Sequence, residues 1–408
     1  MFYRLSICAL ALAALAAGQQ YDMVLKGGRV IDPANDVDGM FDVAVAGGKI
    51  AKVAKDIPAA QAKKSVDASG LVVTPGLIDL HAHVYGYSGA ILPDDSSLMA
   101  GTTTVVDAGG SGWMTFDDFK KTIIDRVQTR VYALINIVGH GMVHEWESNT
   151  DDMDPKKTAA KMAEYPDLIV GIKTAHFGGY GWTAIDRSIE AGNLSGKLVM
   201  VDDKIFTNTG RNSKEKLLEK MRPGDIHTHV FNDRQVEIIS RFNGKVQPYV
   251  WEARKRGILF DLGHGAGSFM WPVANSAAKD GFFPDTISTD LHSSSIMGPK
   301  SDMLNCMTKM IALGMSLEEA VMRSTVAPAK AIHKFPEIGT LGVGKEADIA
   351  AFKVDEGVFA LMDAWKKKRT VTQGLIPVLT VRAGKLVVDL EGRGFPVWTE
   401  AGDYVSIP

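Results

Sequence analysis

The chain has 408 residues, 46% of them hydrophobic and 23% charged, which is enough material to bury a large core. A net charge of −3 and a pI near 6.4 provide no basic field and argue against nucleic acid or an anionic membrane surface as a partner. A small-molecule substrate without strong charge suits this balance better.

The first residues, MFYRLSICALALAALAAGQQ, combine one positive charge at Arg4, an apolar run from Leu5 to Ala17 and small residues between Ala14 and Ala17. Over residues 1–20 this is the pattern of a secretory signal peptide, too short to span a bilayer comfortably. It predicts an exported protein, periplasmic or secreted, with no stable membrane association after cleavage. Ile7 is bulky where a lipoprotein signal has a small residue, which argues against a lipid anchor on Cys8. Cleavage leaves Cys306 as the single cysteine, so neither an intramolecular disulfide nor a thiolate metal cluster is expected.

From residue 21 to 74, the stretches YDMVLKGGRVID, FDVAVAGGKIAKVA and SGLVVT, punctuated by paired glycines, predict an antiparallel sheet. GVGKEADIAAFKV and PVLTVRAGKLVVD, within residues 335–408, have the same character. The two chain ends are therefore expected to build one small β-sandwich together. Between them, residues 75–334 alternate apolar strands with helical stretches, as parallel βα units do. The strands are GLIDLHAH, GTTTVVDAGG, RVYALINIVGH, LIVGIKTAH, KLVMVDD, DIHTHVFN, GILFDLGHG and DTISTDLH. Eight such units predict an α/β fold, a (β/α)8 TIM barrel.

Chemistry in such a barrel sits where the strands end, and these strands end on titratable side chains. They are His81 and His83, Asp107, His140, Lys173 with His176, Asp202 and Asp203, His227 and His229, His264, then Asp290 and His292. Side chains two apart on a strand share a face, so His81 and His83 can offer two imidazoles to one ion. Later strand-end ligands turn this modest His-x-His signal into a candidate metal centre.

PGLIDLHAH, GTTTVVDAG, GIK, TH, GHG and STDLH together resemble the amidohydrolase superfamily, specifically its dihydroorotase-like and D-aminoacylase-like deacetylase group. The resemblance extends over nearly all of the mature chain. It implies two divalent metal ions, zinc or manganese, with His81, His83 and Asp290 on the more buried one. It also implies that Lys173 is carboxylated to a carbamate bridging the pair, that His229 is a ligand, and that His264 lies near the site without binding metal. His227 is either a supporting partner or a core histidine. At the fifth strand these enzymes carry VMVH, and this chain reads VMVDD. Asp202 stands in the histidine's place with Asp203 beside it, and either carboxylate can ligate a metal. The extra anion would weaken the outer ion as a Lewis acid and make manganese more acceptable.

The implied mechanism is hydrolysis by a metal-bridged hydroxide, with Asp290 as the catalytic residue that takes its proton and returns it to the leaving group. Tyr85, His176, His264 and His292 are the expected substrate contacts, within a mouth that also carries Tyr87, Trp113, Met270 and Trp271. The expected activity is deacetylation or deacylation of a small N-acyl compound, or cleavage of a related ester or cyclic amide. Two alternatives stay open: a mononuclear enzyme of the deaminase type, and a non-catalytic interaction protein on the same fold, for which the change at Asp202 is the argument. A homo-oligomer paired through surface helices is compatible with the sequence. A serine triad is not, because Ser268 in GHGAGSF lacks the Gly-x-Ser-x-Gly elbow.

Overall fold

The computed structural model describes residues 19–143, 146–202, 210–211, 213–232 and 238–402. Residues 1–18, which hold most of the expected signal peptide, lie outside the described residues, as does Asp203.

The N-terminal strands are β1 (Tyr21–Asp32), β2 (Val37–Ala46), β3 (Lys49–Ala54), β4 (Ala62–Asp67) and β5 (Val72–Pro75). The turn from β1 to β2 starts with Pro33, and the Asp32 carboxylate accepts the Ala34 N–H. β1 with β2 and β2 with β3 are antiparallel, but β4 and β5 both run parallel to β1. The expected antiparallel sheet is thus a mixed one, because residues 55–61 return the chain across the sheet before β4 begins. β1 changes partner along its length, pairing with β4 over Tyr21–Lys26 and with β5 at Arg29 and Val30. Gly28 lies at that change, where a Cβ would stand 2.6 Å from Val73 Cγ2.

Seven strands follow in a parallel sheet in chain order: β6 (Leu77–Ala82), β7 (Thr102–Gly112), β8 (Arg130–Asn136), β9 (Ile169–Ala175), β10 (Leu198–Asp202), β11 (Ile226–His227) and β12 (Leu259–Phe260). β6, β7, β9 and β10 are buried along their whole length, as strands covered on both faces must be. Helices Pro155–Glu164, Thr183–Ser195, Pro248–Lys255 and Trp271–Lys279 stand between or after them. The expected eighth strand, DTISTDLH, forms no continuous ladder. It makes two single parallel bridges, Thr286 with Asp261 and Leu291 with Ala82. Backbone bonds still tie it to its neighbours, with Leu262 N–H donating to the Thr286 carbonyl at 3.1 Å, Gly265 N–H to that of Thr289 at 2.9 Å and His83 N–H to that of Leu291 at 2.9 Å. Side chains add to them: Thr289 N–H donates to Asp79 Oδ1 at 3.0 Å and Gly263 N–H to Ser288 Oγ at 2.9 Å. Left-handed backbone at His229 (φ 61°) and Asp290 (φ 48°) also turns the chain out of extended geometry.

The chain then returns to the first sheet as β13 (Ile349–Met362), β14 (Lys368–Arg382) and β15 (Lys385–Asp389). β5 is the join: it pairs with β1 on one side and antiparallel with β13 on the other. A core of Met23, Leu25, Val43, Val66, Ile349 and Val381 holds this sheet, separate from the larger core around the parallel strands. Cys306 is a buried free thiol. Among the described residues, no helix is long and apolar enough to cross a membrane.

Candidate metal centre

One strand end and one later segment bring the first ligands together. β6 delivers His81 and the following His83, and the segment after β12 delivers Asp290, whose Oδ1 lies 2.9 Å from His83 Nε2 and 3.7 Å from His81 Nε2. On the other side of His81, Asp202 at the end of β10 faces inward. Its Oδ2 is 3.2 Å from His229 Nε2, 3.6 Å from Lys173 Nζ and 3.6 Å from His176 Nε2. Two buried groups result, His81 with His83 and Asp290, and His81 with Asp202 and His229, each with ligand atoms within 4.8 Å of one another. Lys173 is fully buried on β9, and its Nζ is 2.9 Å from His81 Nε2.

The electrostatics fit a cation. Burial, reinforced by the Lys173 charge, pushes the His81 pKa down to about 3, so this imidazole is neutral and able to ligate. Burial works to raise Asp202, but the charges of His229 and Lys173 outweigh it and hold the carboxyl well below the usual range. Burial likewise opposes ionisation of Asp290, and the hydrogen bonds from His292 and His83 reverse it. The Asp202 charge outweighs burial and raises the His229 pKa, and imidazoles with ionised carboxylates at separate strand ends are the donor set of a divalent transition metal.

The open side is a cavity of about 360 Å³ walled by Tyr87, His176, Asp202, His229, Asp290 and His292 among others. His176 Nδ1 is 3.2 Å from Glu147 Oε2, and His292 Nδ1 is 2.7 Å from the Asp290 carbonyl. Tyr87 lies against His83, with ring centroids 4.7 Å apart, and meets His292 edge-on.

Two expected substrate contacts stand elsewhere. Tyr85 turns outward, stacking on Phe119 and donating its hydroxyl to Asp118 at 2.8 Å, and its neighbour Tyr87 takes the cavity wall. His264 is fully buried behind the wall, with Nε2 2.8 Å from Lys309 Nζ, while Ala266, Gly267 and Ser268 of the same loop reach the cavity. Trp113 and Trp271 pack loops, their indole N–H groups donating to the carbonyls of Asp152 and Leu361. Asp107 accepts the N–H groups of Val84, Tyr85 and Gly110 and so holds backbone at the strand end. His140 pairs with Asp152 at 2.7 Å, and His227 is buried against Phe260.

Sequence reasoning missed the support beneath the ligands. Thr228, Asp261 and Asp79 form a buried polar layer there, and Glu147 and Lys309 buttress His176 and His264. Thr228 stands between two histidines and by strand alternation would face away from them. The left-handed turn at His229 breaks that alternation.

Parallel strands ending in a buried, metal-competent cluster define a metal-dependent hydrolase site of the α/β type. The Amidohydrolase family model matches residues 270–387. A deacetylase of Agrobacterium fabrum is 31% identical over 322 residues, 76% of this chain and 78% of that protein. A deacetylase of Enterococcus faecalis is 28% identical over 376 residues, 90% of this chain and 99% of the relative. Among solved structures, an adenine deaminase superposes with a TM-score of 0.83 at 28% identity, covering 91% of this chain and 100% of that one. A dihydroorotase gives 0.80 at 26% identity, covering 90% and 99%. The chain belongs to the amidohydrolase family and is a hydrolase acting on carbon–nitrogen bonds.

Proposed function

We propose that this chain is a binuclear deacetylase-type amidohydrolase that removes the acyl group of a small N-acyl compound, with related esters and cyclic amides as neighbouring chemistry. The observation that carries this reading is the pair of buried His/Asp groups that include His81, with Lys173 Nζ 2.9 Å from His81 Nε2 and 3.6 Å from Asp202 Oδ2. The deacetylase relatives support the choice of an N-acyl bond. His81, His83 and Asp290 would hold one ion, and Asp202 and His229 the other. Lys173 would join them as a carbamate, formed when its neutral amine adds to carbon dioxide and loses a proton. Bound there, zinc or manganese supplies Lewis acidity that polarises a carbonyl and makes water nucleophilic near neutral pH. Asp290 accepts the proton of the attacking water and returns it to the nitrogen as the C–N bond breaks, leaving a carboxylate and an amine. His176, braced by Glu147, and His292 orient the substrate from the cavity wall.

In the same reading the parallel strands close into a (β/α)8 barrel through residues 286–291, for which the two bridges to Asp261 and Ala82 are the support. Residues 21–74 and 335–408 build the two parts of a β-sandwich around the barrel at 75–334, and residues 1–20 direct export. A mononuclear reading draws on Asp202, which stands at the fifth strand in place of the expected histidine.

Metal content separates the two. Protein expressed with zinc or manganese in excess is expected to hold two ions per chain, falling in Lys173→Ala, and to release acetate from N-acetyl compounds. One ion per chain, with a second gained in Asp202→His, would hand the site to the mononuclear reading.

A further inference from the structure

A ligating histidine must leave one ring nitrogen bare and carry its proton on the other. His229 is settled by a carbonyl: its Nδ1 lies 2.6 Å from the oxygen of Gly263, which only accepts, so Nδ1 is protonated and Nε2 faces Asp202. His81 is different, because its Nδ1 lies 2.9 Å from Thr228 Oγ1, a hydroxyl that can donate or accept. That ambiguity is removed one bond further on. Thr228 Oγ1 donates to Asp261 Oδ2 at 2.8 Å, and Asp261 also receives Ser288 at 2.7 Å and Thr286 at 2.6 Å. Ser288 Oγ accepts the Gly263 N–H, so its proton is committed to Asp261 as well. With the Thr228 proton directed at a carboxylate, its lone pair is left for His81 Nδ1–H. The His81 Nε2 lone pair then points to the space shared by Asp290, Asp202 and Lys173.

We propose that Thr228 and Asp261 are positioning residues that lock His81 in its Nδ1-protonated tautomer and thereby set the affinity of the ion that His81 would hold with His83 and Asp290. The inference rests on the reading of His81 as a ligand. Backbone geometry supports it: a Cβ on Gly263 would stand 2.3 Å from Thr228 Oγ1 and 2.7 Å from His229 Nδ1, so this glycine lets the polar layer close up beneath both histidines. The relay differs from a histidine bonded directly to a carboxylate, because Asp261 stays 3.8 Å from His81 Nδ1 and acts through the hydroxyl.

The test uses the full chain with Thr228→Val, which keeps the shape and removes the hydroxyl, and Thr228→Ser, which keeps the hydroxyl. Zinc affinity is read by chelator competition, and the His81 tautomer by nitrogen-15 NMR of the metal-free protein. Thr228→Val is expected to weaken zinc binding roughly 10- to 100-fold. Its His81 should show a mixture of tautomers, and Thr228→Ser should match the wild type in both readouts. Should the valine variant fail to fold, Asp261→Asn serves instead, since an amide N–H facing Thr228 can reverse the hydroxyl and should give the same two changes. Wild-type zinc affinity and a single tautomer in the valine variant, or a serine variant as impaired as valine, would overturn the relay. Unchanged metal content in His81→Ala would instead remove the ligand reading, and the metal-free tautomer would still decide whether the relay exists.

Discussion

Gly109 lets the Lys173 stem reach the floor of the site. The glycine has φ 92°, its carbonyl accepts from Asn136 Nδ2, and a Cβ there would lie 2.7 Å from Lys173 Cγ and 2.9 Å from its Cβ. Gly109→Ala must strain the backbone or push the lysine stem aside, at a cost of about 1–3 kcal/mol. A lower urea midpoint together with metal content below wild type is the expected result; wild-type values in both would mean that β9 yields without moving Nζ. Residue by residue, the metal-competent side chains were legible in the sequence because each is a rare polar ending to an apolar strand. Which side chains face substrate was not legible. Tyr85 and Tyr87 look alike in sequence, but one finds Asp118 and Phe119 outside while the other packs on His83. His264 has the same apparent placement as a wall residue until helix Met303–Ala312 sets Lys309 against it.

That helix shows what an element contributes beyond its own packing. Lys309 Nζ donates to His264 Nε2 at 2.8 Å and to the Pro299 carbonyl at 3.2 Å, tying the Gly263–Phe269 loop to the chain after Met297. Burial brings its pKa down to about 8 from an ordinary 10.5. Below pH 8 the amine is charged in both folded and unfolded chains, and the cost of burying the charge is felt in full. Between about 8 and 10.5 the unfolded chain binds more protons than the folded one, so stability rises with pH across this window. Urea unfolding of the wild type and Lys309→Met should therefore diverge, with the difference shifting in favour of the wild type by up to about 3 kcal/mol as pH goes from 7 to 10.5. A difference that stays flat would show that the folded amine keeps its ordinary pKa. At this scale the alternating strand and helix pattern was readable, since apolar runs such as LIVGIK and KLVMV have to be covered on both faces. β11, β12 and the 286–291 segment were overread as full strands. Bonds to the Asp79 and Ser288 side chains supplement an irregular backbone ladder there, which a pattern of apolar residues does not reveal.

The whole molecule depends on a join between its ends. β5 and β13 pair over Val72–Pro75 and Ile349–Phe352, directly before β6 carries the chain to His81. Beside this seam Arg130, on β8, reaches Asp348 at 2.5 Å and Glu346 at 2.7 Å, and Arg382 on β14 also contacts both carboxylates. The pairing of N- and C-terminal segments was foreseen from their shared short-strand character. The mixed direction of the sheet was not, because the return through residues 55–61 has no periodic signal. A sheet that shares a charged cluster with β8 should not unfold by itself. Arg130→Leu leaves Asp348 with Arg382 and the Ala383 N–H as partners, so the expected loss is about 1–3 kcal/mol rather than the larger cost of a stranded buried charge. Far-UV circular dichroism and tryptophan fluorescence should still report one coincident urea transition in both proteins, shifted to lower urea in the variant. Two separated transitions in the wild type would mean that the sheet and the parallel strands fold as independent units. In that case the cluster adds stability to one of them without coupling it to the metal-binding half.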